Sequence, residues 1–292
     1  MIHKIAFLGT PEISGSTLSY LVNAGYEIPI VITGEDKKRG RGSTLTPSPV
    51  KMLAGELGIK VSHDPTVLLN TEFDLAVVVA YGRLISDALL NNGLFVNLHF
   101  SLLPRWRGAA PMERAILAGD EVTGVCVMKL VKELDAGPIY QVRQVPLGRE
   151  IILSDLADQL SRLANEALGD ELAKGDDAFF TTAEQVGEPT YAHKLSADDL
   201  RIDWEASSDE VLRKIRLGRA WTTLDGSRFR ITSAAVVPNS SLGIAPGEIS
   251  GTMVETASGV IEIKSLQPPN KREMAAKDWI NGMKRAQDLR FI

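Results

Sequence analysis

The sequence holds one cysteine, Cys126, among 292 residues. That excludes an internal disulfide framework and fits a reducing compartment, so a cytoplasmic protein is expected. Cys126 lies in the apolar stretch GVCVMKL, where a buried structural thiol is expected. The four histidines (His3, His63, His99 and His193) are scattered, and none is spaced from another ligand type as zinc ligands are; no metal is expected. No apolar run approaches the ~20 residues that a membrane-spanning helix needs. The opening segment MIHKIAFLGTPE has too short an apolar run for a signal peptide and reads as a buried strand. The dinucleotide fingerprint G-x-G-x-x-G is also missing. FLGTPEISG follows the first strand without it, and no acidic residue is well placed ~20 positions on, so NAD is not expected.

What is present describes an ordinary globular chain, 44% apolar and 24% charged. Its length favours two domains, at the usual ~100–200 residues each. The net charge of −5 is uneven, with residues 1–204 at −8 and residues 205–292 at +3. A mildly basic module on an acidic one hints at a polyanionic partner, although such a balance also describes a solvated surface. Ile2–Leu8, Ile28–Thr33, Asp74–Ala80 and Leu94–Phe100 are short apolar runs, and residues 14–24 and 47–58 between them have helical signals. This alternation predicts an α/β, Rossmann-like domain with a parallel-rich sheet. Val122–Leu130 and Ile139–Val145 read as further strands, and 153–174 as an amphipathic helix with a leucine stripe. Residues 181–204 are polar with Gly and Pro and read as a linker. The short β-type runs that follow suggest a small β-barrel, OB-like, over 205–292. Trp204, Trp221 and Trp279 are expected to anchor its core.

The chemistry concentrates in FVNLHFSLLPRWRGAAP, residues 95–111. Alternation in a strand sends Asn97 and His99 to one face, and Val96, Leu98 and Phe100 to the other. Two polar side chains on an apolar strand are costly to bury without partners. Such a pair suits acyl transfer: an Asn amide donates to an oxyanion, and a His takes a proton or donates one. Asp135, in the ELDAGPI loop, is the candidate carboxylate to orient His99, its loop position being consistent with reaching the site. No Ser or Cys sits in a nucleophile elbow, which favours direct transfer over a covalent intermediate. The residues alone leave a second reading open, with His99 structural and Asp135 an ordinary turn residue.

Resemblance adds to this. Asn97-Leu98-His99-Phe100-Ser101-Leu102-Leu103-Pro104-Arg105-Trp106-Arg107-Gly108, followed by Leu134-Asp135-Ala136-Gly137-Pro138-Ile139, is similar to the signature of the folate-dependent formyltransferases. The likeness runs nearly end to end, through GRG at 40–42, VVAYG at 78–82, YAHKLS at 191–196 and SLQPPNKREMAAKDW at 265–279. The last two blocks resemble the branch whose acceptor is methionine charged on initiator tRNA. The resemblance implies that Asn97, His99 and Asp135 are catalytic and that the donor is 10-formyltetrahydrofolate. It implies folate contacts from Ser101, Leu102, Leu103 and Pro104, with Ala80, Tyr81, Gly82, Arg83 and Leu84 lining the pteridine pocket. It also implies that the loop GEDKKRGRGSTLT meets the tRNA acceptor end through Lys37, Lys38, Arg39 and Arg41. Phe100 departs from the family, which usually has Gly there.

The expected organisation is therefore a catalytic domain over 1–180, a linker over 181–204 and a tRNA-binding barrel over 205–292, in a monomer. A formyltransferase acting on another amine, a hydrolase of formyl-folate and a non-catalytic RNA-binding protein are the competing readings.

Overall fold

The apolar runs become the centre of a seven-stranded sheet in the computed structural model, which describes residues 2–38, 45–283 and 289–292. Along the chain come β1 (Ile5–Gly9), α1 (Glu12–Asn23), β2 (Val31–Ile32), the short hairpin β3 (Lys37–Lys38) and β4 (Leu45–Thr46), α2 (Pro49–Glu56), β5 (Val61–Ser62), β6 (Leu75–Val79), α3 (Asp87–Leu90) and β7 (Phe95–His99). Then follow β8 (Arg107–Gly108), α4 (Pro111–Ala118), β9 (Val122–Lys129), β10 (Ile139–Pro146), α5 (Leu153–Leu172) and β11 (Tyr191–Ala192). The strand order is β10-β9-β7-β6-β1-β2-β5. The strands from β7 to β5 pair in parallel. β9 lies antiparallel on β7, and β10 antiparallel on β9. Every residue of β1, β6 and β7 is buried, as expected of parallel strands covered on both faces.

The order places a reversal between β1 and β6, because the chain first builds outward to β5 and then returns to the other side of β1. Ligands of open α/β sheets bind beyond the strands' carboxyl ends at such a reversal. The loops after β1 and β6 meet there: the Thr10 hydroxyl donates to the Tyr81 carbonyl at 3.2 Å and accepts the Gly34 amide at 3.2 Å.

Two compact units partition the chain. The first comprises Met1–Pro111, Val122–Pro146 and Ala157–His193; the second comprises Met112–Glu121, Leu147–Leu156 and Lys194–Ile292. Residues 181–193, which composition reads as linker, make specific contacts in the first unit. Ala183 exchanges two backbone hydrogen bonds with Ile139, each 2.8 Å, and β11 pairs in parallel with β8.

The second unit adds α6 (Ser208–Ile215), β12 (Trp221–Leu224), β13 (Ser227–Val237), β14 (Ile249–Ser250), β15 (Met253–Glu255), β16 (Val260–Gln267), β17 (Met274–Ala275) and α7 (Ala276–Asn281). Its six strands form one antiparallel sheet. α6 begins at a complete capping box between Ser207 and Glu210. Trp204 and Trp279 are buried against Phe291 and Phe229. Trp221 departs from the expected core role. It is only half-buried, with the Arg228 guanidinium 4.1 Å over its ring and that of Arg201 at 5.7 Å.

Candidate active site

β7 carries the first two site residues because its sequence alternates. Val96 and Leu98 are apolar on one face, and Asn97 and His99 share the other. Its register against β6 pairs Asn97 with Val78, and against β9 pairs His99 with Cys126. Both polar residues stand towards the strand's carboxyl end, Asn97 9% and His99 5% exposed. Phe100 is buried, as the alternation predicts, and does not open into solvent.

The Asp135 loop then closes on the strand. His99 Nδ1 lies 3.6 Å from Asp135 Oδ2, and both side chains are about nine-tenths buried. On the other side of the ring, Nε2 is 2.9 Å from the Trp106 carbonyl, an acceptor, so Nε2 carries a proton. Both ring nitrogens thus face oxygen atoms that can only accept. The Asn97 carboxamide hydrogen-bonds to no described residue, which leaves its N–H donors available.

The backbone around these groups is held in unusual conformations. Asp135 (φ 48°) and Trp106 (φ 65°) both occupy the left-handed region, which L residues rarely adopt. For Trp106 the compensation is visible: its amide donates to the Thr190 hydroxyl at 2.9 Å, and the next amide, of Arg107, donates to the Thr190 carbonyl at 2.8 Å. For Asp135, Oδ2 accepts the Gly108 amide at 2.8 Å. Two residues on, a Cβ at Gly137 would fall 1.9 Å from the Lys129 carbonyl oxygen, so the loop packs against β9 only with glycine there.

Gln185 fastens the same loop from outside. Its Nε2 donates to the carbonyls of Asp135 at 2.8 Å and Gly137 at 2.9 Å. Its Oε1 accepts from Arg107 Nε at 3.1 Å and Nη2 at 2.8 Å. Sequence reading missed Gln185 and Thr190, because both lie in the stretch whose polar composition resembles a linker. No local pattern betrays a contact made across fifty residues of chain.

The residues expected to hold the folate fall into two groups. Ser101 is fully buried and donates to the Arg105 carbonyl at 2.6 Å, closing the turn that carries Leu102, Leu103 and Pro104. Leu103 is buried beside Cys126 and Met128. In the loop after β6, Ala80 (φ 45°) and Gly82 (φ 76°) make a tight reversal around Tyr81. Tyr81 is 4% exposed, and its hydroxyl has no hydrogen-bond partner of good geometry among the described residues. Burial pushes that hydroxyl's pKa above its usual value, and the Arg83 charge opposes the rise. Arg83 donates to the His63 carbonyl at 2.9 Å, and Leu84 stands 81% exposed, so the tip of the loop is open to solvent.

Of the residues expected at the tRNA, Lys37 and Lys38 sit exposed on the β3–β4 hairpin. Arg39 and Arg41 lie outside the described residues. Cys126 is the buried thiol anticipated from its surroundings, its pKa pushed up to about 11 by burial. Among the described residues, no group of three or more His, Cys, Asp or Glu side chains is arranged to hold a metal ion, and no helix is long and apolar enough to cross a membrane.

Comparison with known proteins adds a second line. The family described as formyl transferase matches residues 3–172, and that described as formyl transferase, C-terminal domain, matches residues 194–284. Methionyl-tRNA formyltransferase of Methylococcus capsulatus is 39% identical, over 95% of this chain and 96% of its own. That of Corynebacterium aurimucosum is 38% identical, over 96% and 94%. Among solved structures, WlaRD, a sugar 3N-formyl transferase, superposes with a TM-score of 0.70 at 18% identity, covering 93% of this chain and 100% of that one. HypX from Aquifex aeolicus, in complex with tetrahydrofolic acid, superposes with a TM-score of 0.69 at 17% identity, covering 96% of this chain and 47% of that one. At such identities these two structures bear on the fold alone.

Proposed function

The chain belongs to the formyl transferase family, and we propose that it moves the formyl group of 10-formyltetrahydrofolate to the α-amine of methionine carried on initiator tRNA. The observation that carries the acceptor assignment is the extent of the likeness. Relatives that formylate methionyl-tRNA match at 38–39% identity through both the catalytic and the C-terminal domain. A sugar formyl transferase also superposes over most of both domains, so it is the sequence identity to the methionyl-tRNA enzymes, and not the presence of a second domain, that carries the acceptor assignment.

The site geometry supports this chemistry. The folate supplies an acyl carbon bonded to N10, a better leaving group than an ordinary amine. Asn97 offers an unpaired N–H to the formyl oxygen, and His99 stands two residues along the same face. As the amine nitrogen bonds to the formyl carbon, the oxygen becomes an oxyanion that the Asn97 N–H stabilises, with the His99 ring beside it. Asp135 fixes the orientation of the His99 ring. When the C–N10 bond breaks, N10 keeps the electron pair and takes up the proton that the attacking amine loses, with the Asp135 carboxylate as the base that carries it between the two nitrogens. For the donor, the loop Ala80–Leu84 and the turn Ser101–Pro104 form the pocket. The Tyr81 hydroxyl is the fit: buried beside the Arg83 guanidinium without a well-formed bond to it, it is a donor-acceptor that a polar edge of the pterin can engage. Lys37, Lys38, Arg39 and Arg41 meet phosphates at the acceptor end of the tRNA, contributing affinity and salt dependence rather than base identity. The protein works in this reading as a cytoplasmic monomer.

The test is a panel of acceptors supplied with 10-formyltetrahydrofolate: methionyl-tRNA, an amino sugar nucleotide, glycinamide ribonucleotide, and water alone. Formyl transfer to methionyl-tRNA at least 100-fold faster than to the others is expected. Preferred transfer to the sugar amine, or release of formate, would overturn the acceptor assignment and leave the formyl chemistry standing.

A further inference from the structure

Gln185 is bonded on both sides by groups that accept no substitute. Arg107 offers only donors and the carbonyls of Asp135 and Gly137 only acceptors, so chemistry fixes which end of the amide faces which. A Glu in its place would set an oxygen against two carbonyl oxygens. A Lys would set a donor against the guanidinium. Among side chains of this length, only glutamine satisfies both neighbours. Arg107 is anchored in turn: it is 8% exposed, its backbone is held by Thr190, and its Nη1 pairs with Glu133 at 3.1 Å.

We propose that Gln185 is a positioning residue for formyl transfer. By holding the carbonyls at 135 and 137, it keeps Asp135 in its left-handed conformation and its carboxylate against His99. The proposal rests on the reading of Asn97, His99 and Asp135 as the catalytic set. Gln185 donates to the Asp135 backbone and acts on His99 only through that residue. Asp135 Oδ2 is shared between the Gly108 amide at 2.8 Å and His99 Nδ1 at 3.6 Å, so a small rotation of the loop trades one contact against the other. A residue that works only through Asp135 has a signature that general destabilisation lacks: its effect vanishes when Asp135 is removed.

The experiment is a double-mutant cycle on the full chain. Gln185→Glu keeps the acceptor for Arg107 and removes both donors to the loop. It is expected to lower kcat about 10–100-fold, the size of loss typical when a supporting partner is removed from a functional ligand. The KM values for folate and tRNA should stay within about twofold, since neither binding surface is touched. On an Asp135→Ala background the same change should cost nothing further. Arg107→Lys, which leaves the donors of Gln185 in place, should give a smaller loss that also disappears on that background; it serves as the second variant if Gln185→Glu folds poorly. Hydrogen exchange at the Gly108 amide, which reports the Asp135 contact without any substrate, should quicken in Gln185→Glu. Wild-type kcat in Gln185→Glu, an undiminished loss on the Asp135→Ala background, or unchanged Gly108 exchange would each overturn the proposal. If the wild-type protein transfers no formyl group while Gly108 exchange still responds to Gln185→Glu, the formyl reading fails and the clamp on Asp135 stands.

Discussion

His99 Nδ1 faces Asp135 Oδ2 at 3.6 Å in a site where both side chains are about nine-tenths buried. A strand supplies one partner and a loop held in a left-handed conformation supplies the other, so the contact exists only in the folded chain. Replacing the carboxylate by an amide of the same shape removes the charge while leaving the packing intact. Asp135→Asn is therefore expected to lower kcat about 100-fold or more, by analogy with other imidazole–carboxylate pairs in which the orienting charge is removed. Single-turnover formyl transfer measures this, and a variant keeping a tenth of the wild-type rate would contradict the role given to Asp135.

Asn97 makes no hydrogen bond to a described residue, so its removal should spare the fold. Asn97→Ala is expected to leave the thermal midpoint within about 2 °C, because a truncation that strands no hydrogen-bond partner costs little. The rate should fall about 100–1,000-fold, the usual cost of losing one oxyanion donor. Comparable losses of stability and activity would instead make Asn97 structural.

The buried hydroxyl of Tyr81 gives different predictions for two assays. Tyr81→Phe removes a buried polar group that makes no well-formed hydrogen bond, only a loose one to the Arg83 side chain, so the free protein should be about as stable as the wild type. Folate affinity should drop about 5–10-fold, the equivalent of roughly one hydrogen bond. Calorimetric titration with tetrahydrofolate reads the affinity; unchanged binding would remove Tyr81 from the pocket.

Much of this is legible from the residues. The uninterrupted apolar runs mark β1 and β6, and the Asn-x-His spacing places two polar side chains on one face of β7. The helix limits also fall close to expectation, since Gly and capping residues mark them locally. The pairing direction of β9 is not legible, because an antiparallel strand buried on both faces carries the same apolar pattern as a parallel one. Trp221 reads as a core residue, and wrongly, for a related reason: a sequence shows a large apolar ring but not the two arginines that fold over it. Gln185 is the clearest case. Its partners lie far away in the chain, and composition describes only what a segment is made of, not what it touches.

Glu171 predicts how stability responds to acid. Burial pushes its carboxyl upward, but hydrogen bonds from Lys174, the Phe179 amide and Gln141 outweigh burial and hold the pKa below its ordinary value of 4.5. A carboxyl depressed in the folded state contributes stability at and above its unfolded value and loses it as pH falls through the folded one. Unfolding midpoints in urea should therefore decline below about pH 4.5, and Glu171→Gln should show a shallower decline across the same window. Identical slopes in the two proteins would show that the ion pair carries none of the acid sensitivity.

Lys37 and Lys38 are exposed on the β3–β4 hairpin, where a phosphate backbone can reach them. Replacing both with Ala should weaken initiator tRNA binding and flatten the salt dependence of its logarithm by about two, near one for each phosphate no longer neutralised. Filter binding between about 50 and 200 mM salt, where such charge pairing responds strongly, reads both quantities. A weaker affinity with the original slope would place the lysines away from the phosphates.

The central claim is best tested by following formyl transfer from 10-formyltetrahydrofolate to methionine on initiator tRNA, to methionine on elongator tRNA, and to free methionine. Transfer confined to the initiator species is the predicted result. Equal transfer to all three, or to none of them, would contradict it.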